Sequence, residues 1–192
     1  STIIVQTCLI LMPALLMAII LTRSPRRALR IHRPQMSHVF AAVLIGFALH
    51  PSYLLLGQAV GLLYEMSPQA QEIIGQFQAV LLAQPIWAIL LLLAVLPAIC
   101  EELAFRGFIF GGLLRQQGAL RAVVVSALFF GLTHSLLQQS ISAGVMGLLL
   151  GLIAWRTGGV LATMIVHVIN NSLTLGLAWC ATNEAGLPLA LG

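Results

Sequence analysis

Ala98-Ile99-Cys100-Glu101-Glu102-Leu103-Ala104-Phe105-Arg106-Gly107 is the stretch on which the reading of this chain turns. It lies within an apolar run over about residues 86–114. A helix of that length is more than enough to cross a hydrocarbon core about 30 Å thick. At the bilayer centre each charge costs about 2.5–3.5 kcal/mol on insertion scales. Two carboxylates and a guanidinium at such depth therefore mark a functional site, provided their partners can be named. Glu102 and Arg106 stand at i,i+4 and account for each other as a structural ion pair. That pairing leaves Glu101 unexplained. Cys100, next to it, is read as packing, because buried apolar cysteine is inert.

Composition sets the class. Of 192 residues, 60% are hydrophobic and 7% charged. The apolar runs are continuous rather than alternating, so a membrane β-barrel is excluded and an all-α polytopic membrane bundle remains. The net charge of +4 comes from nine arginines and no lysine. The loop arginines lie beside apolar spans without interleaved aromatics, so the chain does not read as a nucleic-acid binder. Cys8, Cys100 and Cys180 have the spacing of neither a disulfide framework nor a zinc knuckle. The sequence opens at Ser1 without an initiator methionine and reads as part of something longer, which leaves room for a partner domain or subunit outside this chain.

Working outward from the quoted stretch, the chain divides into three parts. Residues 1–85 carry two spans, a basic loop and an interfacial helix; residues 86–180 form the core; residues 181–192 are a short tail. Six spans are expected, at about 3–22, 38–63, 86–114, 120–138, 140–155 and 160–180. Pro51 and Pro97 are expected to kink or interrupt the second and third. Ser67-Pro68 reads as an N-cap followed by proline at the first helical position. Behind it, Ile73, Ile74, Phe77, Val80 and Leu81 mark an amphipathic helix at the membrane surface. Gly107 and Gly111, and likewise Ala143, Gly147 and Gly151, have the spacing that lets a second helix approach closely.

Charge sets the topology. The segment from Arg23 to Arg33 holds five arginines in eleven residues and suits contact with lipid headgroups. If it is cytoplasmic, two crossings bring the chain back beside Arg115 and Arg121, and two more beside Arg156. Every loop arginine then falls on one side, while Glu65, Glu72 and Glu184 fall on the other.

Depth brings the polar residues together. Glu101 lies about 14 residues, or ~21 Å, from Arg115 along its helix; His134 lies ~20 Å from Arg121; His167 lies ~16 Å from Arg156. Three separate spans thus carry ionisable groups in one layer. His167 and Asn171 share a helix face at i,i+4, as do Phe130 and His134. Glu101 is the candidate base. Two imidazoles and an amide at the same level could orient a water and donate to an oxyanion. His50 and Asn170 are read as structural.

The three patterns Glu101-Glu102-x-x-x-Arg106, Phe130-x-x-x-His134 and His167-x-x-x-Asn171, in this order, resemble those of the type II CAAX prenyl endopeptidase family, also known as the CPBP or bacteriocin-processing family. The resemblance covers about residues 86–179. It implies an intramembrane endopeptidase acting on a membrane-anchored peptide, prenylated in eukaryotic members. It implies Glu101 as the base that activates water and His167 as a holder of that water. It implies His134 and Asn171 as oxyanion donors. Glu102, Arg106 and Phe130 would support the site or position substrate. A metal-free mechanism is favoured; the alternative is zinc held by Glu101, His134 and His167, with an open water position. Two other functions compete: a non-catalytic immunity protein or accessory transporter subunit, and an ion or proton carrier using the same buried groups.

Overall fold

The computed structural model describes residues 2–184. Among them are eight helices and no strand. Helix α1 covers residues 2–21, with π-helical Val5–Leu11 between α-helical Thr2–Ile4 and Met12–Leu21. It is followed by α2 (Pro25–Ala28), α3 (Met36–Leu63) and α4 (Pro68–Leu82). Then come α5 (Ile86–Gln117), α6 (Ala119–Leu132), α7 (Leu137–Thr157) and α8 (Leu161–Glu184). The tail beyond residue 184 and the side chain of Glu184 lie outside the described residues.

Six apolar helices occupy the expected places, but among the described residues only α3, α5, α7 and α8 are long and apolar enough to cross a membrane. The apolar part of α1, Val5–Leu21, is shorter, and so is α6. At 1.5 Å per residue, the 14 residues of α6 reach only about 21 Å. The expected span over residues 120–138 is therefore broken. The backbone leaves the helix after Leu132, and α7 begins at Leu137. The cause is local. The Phe130 carbonyl accepts from the Thr133 hydroxyl at 2.7 Å and from His134 Nδ1 at 3.0 Å, and side chains thus take the place of a continuing helical ladder. Ser140 Oγ donates to the His134 carbonyl at 2.7 Å and ties the break to α7.

Neither proline ends its helix. Pro51 lies inside an uninterrupted α3. Pro97 does not break α5; a π-helical segment, Leu91–Val95, precedes it. Pro13 in α1 likewise follows the π-helical Val5–Leu11. Widening the ladder is one way to absorb a missing N–H without losing the helix. A third π segment, Leu103–Ile109, begins just after Glu102. Glu101 thus stands between two widened turns of one helix.

Small residues set the packing. A Cβ on Gly147 would sit 3.0 Å from the Ala127 Cα, and one on Gly151 would sit 3.2 Å from Val123 Cγ1. The Ala143/Gly147/Gly151 stripe therefore seats α7 on α6, as its spacing predicts. Gly107 and Gly111 admit a different partner from the expected helix. A Cβ on Gly107 would meet the Leu29 carbonyl oxygen at 2.8 Å, and one on Gly111 the Ala28 carbonyl oxygen at 3.2 Å. The arginine loop fills that space. Ala28 and Leu29 are buried, Arg30 takes a positive φ of 54°, and its Nη2 donates to the Ala154 carbonyl at 2.9 Å. Its guanidinium carbon lies 5.0 Å from the Phe110 ring centre. The loop is thus built into one end of the bundle, not only laid against headgroups. Burial and the nearby Arg115 lower the Arg30 pKa from its ordinary value.

Helix α4 forms where Ser67 and Pro68 predict it. Ser67 Oγ accepts from the Ala70 amide at 3.3 Å, and no residue of the helix is buried. The N-terminal helices pack against the core helices. Ala14 of α1 packs with Ala104, Phe105, Phe130 and Ala143, and Ala42 of α3 with Met146, Leu150, Ala162 and Val166.

Candidate active site

Glu101, His134, His167 and Asn171 line one cavity of about 360 Å³ between the helices. Each arrives by a different local device. Glu101 comes from the stretch of α5 between its π segments. His134 comes from the break after α6. Non-helical backbone at membrane depth is tolerated where it is enclosed by protein or lines a cavity. His167 and Asn171 come from consecutive turns of α8, on one face as their spacing predicts.

His167 links the two glutamates. Its Nδ1 lies 3.0 Å from Glu102 Oε1, and its Nε2 lies 3.8 Å from Glu101 Oε2. A carboxylate can only accept, so the Glu102 bond makes Nδ1 the donor and leaves Nε2 facing Glu101. The 3.8 Å separation is too long for a direct bond and suits a bridging water. Glu102 also accepts from Arg106 Nη1 at 2.9 Å, with both side chains fully buried. Arg106 Nη2 donates to the Gly147 carbonyl at 3.2 Å. The expected ion pair is therefore present. Neither member lines the cavity; the pair stands behind His167.

Phe130 is the packing centre. Its ring lies edge-on to His134 at 5.2 Å, to His167 at 5.8 Å and to Phe105 at 5.3 Å. The Arg106 guanidinium carbon lies 4.3 Å from its centre. One aromatic ring thus fixes both imidazoles and is polarised by the buried cation.

Gln6, read only as part of an apolar span, and His50, read as structural, also belong here. Gln6 Nε2 donates to Glu101 Oε1 at 2.7 Å. His50 Nδ1 lies 3.1 Å from Asn170 Oδ1, with both residues buried. Gln6 and Asn170 line the cavity, together with Tyr53 and Gln139. The signal available in the sequence was a lone amide and a lone imidazole in otherwise apolar spans. Nothing local pairs them with residues about a hundred positions away.

Among the described residues, no three His, Cys, Asp or Glu side chains are arranged to hold a metal ion. Glu101, His134 and His167 share the cavity without forming such a group.

A helical integral membrane protein with a buried acid–imidazole cavity is the class that this fold and site define. Residues 83–173 match the model of the family described as Type II CAAX prenyl endopeptidase Rce1-like. The matched segment holds every motif residue from Glu101 to Asn171. No curated protein and no solved structure gives a significant match.

Proposed function

We propose that this protein is an intramembrane endopeptidase that hydrolyses a peptide bond of a membrane-anchored substrate of the prenylated CAAX type. The observation that carries the reading is the sharing of one cavity by Glu101, His134, His167 and Asn171. A water held between Glu101 Oε2 and His167 Nε2 gives its proton to Glu101 as its oxygen bonds to the scissile carbonyl carbon. The carbonyl oxygen becomes an oxyanion, to which the Asn171 amide donates; His134, whose Nδ1 is committed to the Phe130 carbonyl, adds a second donor through Nε2 when both ring nitrogens carry hydrogen. Glu101 then returns the proton to the leaving nitrogen as the carbon–nitrogen bond breaks. Glu102, backed by Arg106, holds the His167 ring in the tautomer that faces the water. No step calls for a metal ion.

The arginine-bearing end of the bundle faces the cytoplasm in this reading. Support comes from the loop over residues 23–33 meeting the ends of α5 and α7 at Gly111 and Ala154, so that these arginine-bearing segments share one end.

The test is cleavage of a farnesylated CAAX peptide by the purified protein in lipid vesicles. Release of the C-terminal tripeptide is expected from the wild type, and a fall of at least about a thousandfold in Glu101→Gln, because the base itself is removed. Undiminished cleavage by Glu101→Ala would overturn the mechanism.

A further inference from the structure

We infer that Gln6, on the N-terminal helix, is a positioning residue for the Glu101 base, so that the hydrolytic site is completed from outside the matched segment; this rests on the endopeptidase reading above.

A carboxylate base has two oxygens, and hydrolysis needs one of them presented to water in a fixed direction. Here the two are differentiated. Oε1 accepts from Gln6 Nε2 at 2.7 Å, and Oε2 is turned to His167 Nε2 at 3.8 Å. The short bond belongs to the oxygen that the mechanism does not use. Gln6 must be the donor, since turning its amide over would set its carbonyl oxygen against a carboxylate oxygen.

Simple gluing of α1 to α5 is the competing account. A buried glutamine that only joined helices would satisfy both ends of its amide. Gln6 does not. Its Oε1 is buried without a hydrogen-bond partner among the described residues, and the side chain lines the same cavity as Glu101 and His167. Both members of the pair also stand at widened turns, Gln6 within π-helical Val5–Leu11 and Glu101 just ahead of π-helical Leu103–Ile109. Such turns recur at functional sites because they re-aim side chains without ending the helix. A helix that only packed against the bundle would have no use for an amide at this point.

The test uses Gln6→Met and Gln6→Leu in the full chain. Both put an apolar side chain of similar bulk in place of the amide and remove the donor. With the farnesylated peptide, kcat is expected to fall about 10- to 100-fold, the cost of one hydrogen bond to a charged group, with KM within about twofold. A second readout does not depend on turnover. All five acidic residues are glutamates, and with their side-chain carboxyls carbon-13-labelled, the infrared difference between wild type and Glu101→Gln isolates the Glu101 carboxylate band. That band is expected to move in Gln6→Met. An unmoved band with wild-type kcat overturns the inference. So does a change in KM and in melting midpoint without a band shift, since that is the pattern of packing alone. A band that moves in a wild-type background that cleaves nothing keeps the contact, and sinks both the positioning role and the endopeptidase reading.

Discussion

His167 hydrogen-bonds Glu102 through Nδ1 at 3.0 Å and is left with Nε2 turned to the neighbouring glutamate. Adjacent carboxylates on one helix thereby take different work. Glu102 is fully buried and engaged by Arg106 and His167, whereas Glu101 opens to the cavity. Replacing Glu102 by Gln keeps an acceptor for His167 but removes the counter-charge of Arg106. A loss of cleavage of about 10- to 100-fold is expected in assays on the farnesylated peptide, with peptide affinity retained.

Removing Arg106 tests the same network through stability. Arg106→Met leaves the Glu102 carboxylate buried without its cation, and breaking a buried pair from one side costs about 3–5 kcal/mol. The double variant Glu102→Leu/Arg106→Met is expected to recover most of that loss. Unfolding midpoints in detergent micelles decide the matter; a double variant no better than Arg106→Met alone would refute the charge argument.

Metal removal is a third test. Dialysis against a chelator is expected to leave the cleavage rate within about twofold, as follows for a carboxylate base acting directly on water. A loss reversed by added zinc would contradict this.

The α6–α7 seam makes a steric prediction. Gly147→Val is expected to cost about 1–3 kcal/mol, because even its Cβ would lie 3.0 Å from Ala127 Cα on the facing helix. Gly144→Ala, three residues away, meets nothing within 4 Å and is expected to stay within about 0.5 kcal/mol. Thermal unfolding of the two variants side by side gives the comparison.

The arginine loop should loosen when its anchor is cut. Arg30→Met loses the bond to the Ala154 carbonyl and the charge over Phe110, together about 1–2 kcal/mol. Faster tryptic cleavage within residues 23–33 is expected, with the helices of the bundle still protected. Equal cleavage rates in variant and wild type would mean that the loop is not held by Arg30.

The sequence by itself determined the membrane class, the places of the apolar helices, the capped surface helix at Ser67 and the three motif pairs. These follow from local quantities: the length of apolar runs, the cost of charge in hydrocarbon, and the 3.6-residue period that puts His167 and Asn171 on one face. Only the tertiary structure decided that His134 stands on a helix break, that Gly107 and Gly111 receive the arginine loop, and that Gln6 and His50 join the polar interior. Each depends on which side chain or backbone competes for a particular carbonyl, or fills a particular gap, across the bundle. A one-dimensional pattern carries no information on those distances, because a lone glutamine reads the same whether it faces lipid or a carboxylate 2.7 Å away.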